Sequence, residues 1–203
     1  MDKRTKVAVA LAAGVLGCAL APMNPARACG GAMMEDADYV QRDIAKRVKL
    51  RDAQDALERG ELEVAASALR MAAPYPGESL VRARRLLAKL IVRSDGRYDA
   101  SAREQGETDD NLKTAVQIIS LLPREDPRAL TDLGEALSKR SETLAMAREV
   151  LADLAQRDLI TSAEGWAALA RLSSPEGATT AMERCRRMAL DPERSCGLVS
   201  GTS

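Results

Sequence analysis

Apolar residues recur along this chain at steps of three and four, in blocks separated by Gly, Pro and acidic residues, which is the pattern of amphipathic helices. Val40, Ile44, Val48, Ala53, Ala56 and Leu57 give the first apolar face, and Gly60 ends that helix. Leu62, Ala65, Ala66, Leu69 and Ala72 give the second, stopped by Pro74 and Pro76. A third helix over 77–95 turns Leu80, Ala83, Leu87, Leu90 and Ile91 inward. Residues 96–106 carry the weakest pattern and predict a short helix at best. Thr108 to Leu122 is the next helix, with Ala115, Ile118, Ile119 and Leu122 apolar. Pro127 then opens a helix to about Arg140, where its missing N–H costs nothing. Further helices are predicted from Ser141 to about Arg157, from Thr161 or Ser162 to Leu172, and from a capping Ser174 with Pro175 to near Leu190. No run alternates with period two, so the expected fold is all-α, with eight or nine helices and no sheet.

Composition supports that reading. The 36 Ala and 25 Leu among 203 residues lose little side-chain freedom in a helix. A hydrophobic fraction of 46% with 30% charged residues supplies a core. The chain has no His, which removes every imidazole-based triad, the H-E-x-x-H zinc motif and the commonest zinc-ligand sets.

The first 28 residues read as an export signal. Lys3, Arg4 and Lys6 precede an uncharged run from Val7 to Ala21, and Ala26 and Ala28 fit the A-x-A rule for cleavage between Ala28 and Cys29. The apolar run is about 15 residues, short for a spanning helix, so no membrane span is expected in the mature chain. An alternative is a lipoprotein, because Val15-Leu16-Gly17-Cys18 resembles a weak lipobox that would lipidate Cys18. Domain organisation then reads as signal 1–28, flexible leader 29–35, helical domain 36–192 and disordered tail 193–203. Removing 1–28 takes four basic side chains and one acidic from thirty of each, which leaves a net charge of −3. Nucleic-acid binding wants clustered positive charge, and none is expected here. Arg82, Arg84, Arg85 and Lys89 form a basic run and read as a solvated helix face.

Cleavage after Ala28 leaves Cys29, Cys185 and Cys196, and an oxidising compartment permits a disulfide. Three thiols allow three single pairings. Cys185 with Cys196 is the candidate, since Asp191-Pro192 turns the chain between them. No phosphate-binding, nucleophile-elbow, S-x-x-K or calcium-loop motif appears, and no metal or cofactor is expected.

One half-motif recurs. Ala56-Leu57-Glu58-Arg59-Gly60 precedes Ala65, Leu69 and Ala72; Ala115, Ile119 and Leu122 precede Pro127; Ala147, Leu151 and Leu154 repeat the four-then-three spacing. Trp166, Leu169 and Ala170 precede Gly177, and Ala189 lies beyond Gly177 by the same 12 residues that separate Ala72 from Gly60. Over residues 43–192 this resembles a tetratricopeptide repeat (TPR) array, most closely at 43–76 and 163–192. The resemblance implies antiparallel helix pairs stacked as a short solenoid; the alternative is an irregular α-bundle. It also implies a groove lined by the first helix of each pair, which places Arg47, Gln54, Arg93, Arg128, Thr131, Glu135 and Arg171 there. Arginine forks grip carboxylates, so the implied guest is an acidic peptide or a C-terminal carboxylate. The expected function is an exported, non-enzymatic protein–protein adaptor of the bacterial cell envelope, periplasmic or secreted. The alternatives are a lipid-anchored assembly factor and a carboxylate-dependent envelope enzyme such as a glycan-cleaving one. For the last, Glu78-Ser79 resembles the Glu-Ser pair of lytic transglycosylases.

Overall fold

The computed structural model describes residues 30–72 and 78–197, the side chains of 30–39 and 78–79 excepted. The chain divides between Val40 and Gln41, and the unit that begins at Gln41 carries the core and the clefts. The fold is all-α. Among the described residues the helices are α1 (Gly30–Glu58), α2 (Leu62–Met71), α3 (Glu78–Arg93), α4 (Thr108–Ser120), α5 (Pro127–Leu137), α6 (Leu144–Gln156), α7 (Ala163–Leu172), α8 (Pro175–Met188) and α9 (Pro192–Ser195). A short 3₁₀ turn, Ser141–Thr143, leads into α6.

Helix ends obey local chemistry. At the end of α1 the Glu61 N–H reaches the Ala56 carbonyl (2.8 Å) and the Gly60 N–H the Leu57 carbonyl (3.1 Å). This closure needs a left-handed residue, and Gly60 supplies it at φ +70°. The same pair of bonds closes α3 and α6, but there Asp95 and Asp158 take the left-handed position, each at φ 54°. Asp126 caps α5 by accepting from the Arg128 N–H at 2.9 Å, and Ser162 caps α7 by accepting from the Gly165 N–H at 3.0 Å. Ser174 precedes α8 without a side-chain cap bond, although its place in the sequence predicts one.

The buried apolar residues fall into three clusters in chain order among the described residues. The first joins α1, α2 and α3 through Leu50, Leu57, Leu69 and Leu90. The second joins α3, α4 and α5 through Ile91, Val92, Ile119 and Ala136. The third joins α6, α7 and α8 through Leu151, Leu154, Trp166 and Ala181. From α2 to α8 each helix packs on the next, and α3 also touches α5, and α5 touches α7. Gly165 permits one of these crossings: a Cβ there would sit 2.6 Å from Thr131 Cγ2 and 3.1 Å from Ile160 Cγ2.

Four sequence expectations change. The leader 29–35 reads as flexible, but α1 begins at Gly30, because Ala32, Met33, Met34 and Glu35 are good helix formers that continue into the amphipathic stretch. The tail 193–203 reads as disordered, yet α9 covers its start. Asp191 caps that short helix, and Cys196 is buried with its sulfur 2.01 Å from that of Cys185, as a disulfide. Closing a loop of 11 residues is worth about 3 kcal/mol in the chain-entropy model. Residues 96–106 form a pinned loop rather than a helix. Asp99 Oδ1 accepts from the Ser101 and Arg103 N–H groups, Asn111 Nδ2 donates to the Gly96 and Gln105 carbonyls, and Tyr98 and Ala102 are buried. On α1, Ile44 and Val48 are exposed, and the buried face starts at Leu50. Residues 1–28 with the alternative Cys18, the Ala28–Cys29 cleavage site, and residues 198–203 lie outside the described residues.

The crossing at Gly165 makes a prediction. Gly165→Ala should lower stability by about 1–2 kcal/mol, because overpacking outweighs the helix-propensity gain of alanine. That corresponds to a melting temperature about 2–8 °C lower, read by thermal circular dichroism; an unchanged or higher value would contradict the close approach.

Candidate functional site

The site is built on a spacing of four. Arg85, Lys89 and Arg93 stand four residues apart on α3, so they form one column on its surface. That column faces α5, which carries Asp132 and Glu135 three residues apart. Arg85 Nε lies 2.6 Å from Asp132 Oδ2, and Lys89 Nζ lies 3.3 Å from Asp132 Oδ1. Arg85 Nη1 also approaches Asp126 Oδ2 at 3.6 Å. Arg93 Nε donates to Glu135 Oε1 at 3.2 Å, its Nη1 to the Leu57 carbonyl at 2.8 Å, and its Nη2 to Glu164 Oε2 on α7 at 2.7 Å. One guanidinium therefore ties α1, α3, α5 and α7 together. Side-chain exposure is 7% for Arg93, 4% for Glu135 and 2% for Asp132, so this is an interior seam and not a solvated face. The basic run read from the sequence as solvent-facing is half engaged in it.

Two groups in the seam are out of balance. Glu135 Oε2 is buried and has no hydrogen-bond partner among the described residues. Burial pushes the Glu164 carboxyl above the usual carboxylate range; the Arg93 guanidinium opposes the shift and the neighbouring Glu135 carboxylate adds to it. Arg93 itself is held above its usual range, because the surrounding carboxylates outweigh the desolvation that would lower it.

A cleft of about 370 Å³ opens on this seam. Arg93, Glu135 and Glu164 line its buried side, and Lys139, Arg171 and Arg194 line the same cleft. Lys139 pairs with Asp95, and Arg194 with Asp191 at 3.4 Å. Arg171 is exposed and has no ion-pair or hydrogen-bond partner among the described residues.

The groove positions implied by the repeat resemblance separate. Arg93, Glu135 and Arg171 come together at this cleft. Thr131 is fully buried: its hydroxyl donates to the Pro127 carbonyl at 2.8 Å and accepts from the Thr161 N–H at 3.3 Å, out of reach of a guest. Arg47 is exposed and paired with Asp43 at 2.8 Å. Gln54 bridges Glu58 and Arg82. Arg128 is exposed and does not line the cleft. Sequence reasoning misses Lys139, Glu164 and Arg194, whose place here comes from contacts across many helices. Glu78 opens α3, but its side chain is outside the described residues. Among the described residues no cluster of His, Cys, Asp or Glu could hold a metal ion, and no helix is long and apolar enough to cross a membrane. In comparisons with known proteins, no family model, no curated protein and no solved structure matches this chain.

The seam makes two predictions. Arg93→Ala should cost about 3–5 kcal/mol at neutral pH, because it leaves two buried carboxylates without their cation; chemical denaturation measures it, and a loss below about 1 kcal/mol would contradict the seam. The second concerns pH. A carboxyl whose folded value is raised favours the folded state fully below the unfolded value of about 4.3, and that contribution is lost as pH rises through the folded value. Glu164→Gln cannot titrate. Its stability relative to the wild type should therefore rise as the pH increases above about 4.3, and a difference that stays flat or falls would contradict the raised carboxyl.

Proposed function

We propose that this chain is an exported, non-enzymatic helical adaptor of the bacterial cell envelope, and that it receives a carboxylate-bearing segment of a protein partner in the cleft over the α3–α5–α7 seam. The observation that carries the reading is Arg171: a guanidinium at a cleft, with no partner of its own among the described residues. A carboxylate guest satisfies such a fork bidentately. The seam supports the reading in a second way, since a cleft held by buried ion pairs is pre-organised and loses little entropy when it is filled. The helix contacts, each helix on the next with α3 on α5 and α5 on α7, fit TPR-like stacked pairs whose first helices face the guest. The envelope assignment rests on the signal pattern of residues 1–28.

Export and capture test it together. The exported protein should have the mass of a chain starting at Cys29, with no acyl mass; a diacyl mass on Cys18 would shift the reading to the lipid-anchored form. Crosslinking in the native envelope should capture one dominant partner. Arg171→Glu should weaken that capture at least tenfold, about 1.4 kcal/mol, while Arg128→Glu, away from the cleft, leaves it unchanged. Equal capture by wild type and Arg171→Glu would refute the cleft as the partner site.

One observation favours a second reading. The raised Glu164 carboxyl beside Glu135 in a cleft is the kind of group that serves as a general acid in a glycan-cleaving enzyme. Peptidoglycan hydrolysis by the wild type that Glu164→Gln abolishes would replace the adaptor reading.

A further inference from the structure

A second cleft, of about 490 Å³, lies where the end of α2, the first half of α3 and the loop at 100–103 meet. Its chemistry is the reverse of the first. Leu80, Leu87 and Ile118 line it together with Leu69 and several alanines, whose short side chains leave the space unfilled. Three cations line the same cleft, Arg70, Arg84 and Arg103, and among the described residues no acidic one does. Several arginines of this protein sit against carboxylates, as Arg47, Arg59, Arg85, Arg93, Arg140 and Arg157 do, while others such as Arg128 and Arg171 do not among the described residues. None of the three at this cleft sits against a carboxylate among the described residues. Arg84 and Arg103 are exposed and their guanidinium groups have no partner there. Arg70 is held in place because its Nη1 donates to the Ala102 carbonyl at 2.7 Å, which leaves the rest of its fork for a ligand.

We propose that this cleft binds a single-chain anionic amphiphile, a fatty-acid-like carboxylate with its acyl chain against Leu80, Leu87 and Ile118 and its headgroup among Arg70, Arg84 and Arg103. The volume lies within the range of small-molecule sites, and an apolar wall with a few charged groups is their usual composition. A peptide fits the chemistry less well. Each of its residues brings an N–H and a C=O that need partners when buried, and among the described residues the only uncharged polar side chain lining the cleft is that of Ser101. An acyl chain makes no such demand. The site is separate from the cleft over the seam and shares no residue with it.

Calorimetric titration of the purified protein with dodecanoate, below its micelle concentration, tests the proposal. One equivalent should bind saturably. Dodecyltrimethylammonium, with the same chain and the opposite charge, should bind at least tenfold more weakly. Shortening the chain to octanoate should cost at least tenfold, because a fully buried methylene is worth about fourfold in affinity. The double variant Arg84→Glu with Arg103→Glu changes exposed positions and should keep its helical content while it loses at least tenfold in dodecanoate affinity. Ala83→Trp, which fills the cleft, should remove binding, and Arg171→Glu at the other cleft should leave it intact. Absence of saturable dodecanoate binding, equal binding of the cationic amphiphile, or an unchanged affinity in the double charge variant would overturn the proposal. So would an acidic amphipathic peptide that binds there when dodecanoate does not.

Discussion

Arg93 is the point on which the packing of this protein turns. Its fork reaches a backbone carbonyl on α1, a carboxylate on α5 and another on α7, from the last residue of α3. A cation buried to this degree persists only where partners satisfy it, since the desolvation of an unpaired guanidinium would exceed what the fold can offset. The position of Arg93 therefore constrains four helices at once. Hydrophobic contact alone would leave them freer, because the buried apolar residues among those described fall into clusters that run along the chain and no single cluster spans it. Small side chains dominate these clusters. Alanine allows close approach but has little shape to fix a crossing, whereas a bidentate or forked ion pair fixes both distance and angle.

The same seam explains why two clefts in one small protein differ so much in character. Over α3, α5 and α7 the polar groups are used in holding helices together, and what remains for a guest is a single guanidinium and one orphaned carboxylate oxygen among the described residues. The column of cations on α3 reaches α5 at each of its members. Arg85 finds Asp126 and Asp132. Arg84, one residue earlier, points to a different face, since neighbours in a helix differ by about 100°. It lines an apolar cleft instead, along with arginines from α2 and the loop after α3. One helix thus uses its basic residues for structure on one face and leaves one uncompensated on another.

This division marks what is legible in the sequence. Helix positions are legible, because the three-and-four spacing, Gly60, Pro127 and Ser162 act on neighbouring residues. Asp95 and Asp158 are not legible as left-handed helix ends, since aspartate has no conformational need to be there and glycine is the usual signal. The loop at 96–106 lacks apolar periodicity, yet it is ordered by side chains that bond to backbone, a mechanism that leaves no period. For the site, the repeat resemblance names Arg93, Glu135 and Arg171, which meet at one cleft, alongside Thr131, Arg47, Gln54 and Arg128, which do not join them there. The sequence distances explain the failure: Arg93 meets Glu135 and Glu164 at separations of 42 and 71 residues, and nothing local in either carboxylate's neighbourhood signals a buried partner.

Burial also reverses the meaning of a charge pattern. The run Arg82, Arg84, Arg85 and Lys89 is four cations within eight positions, and on an isolated helix such a run repels itself and faces water. Two of the four, Arg85 and Lys89, share the Asp132 carboxylate, which is nearly inaccessible to solvent. Arg82 bonds to Gln54 on α1. Of the four, Arg84 is the one left without a partner among the described residues, and it stands beside apolar surface, where the low dielectric strengthens its attraction for an anion relative to open water. Lack of a partner does not by itself mark a binding position, since the exposed Arg128 side chain is unpaired too among the described residues; the binding positions proposed are unpartnered cations that also line a cleft. Arg171 at one cleft and Arg84 with Arg103 at the other meet both conditions among the described residues.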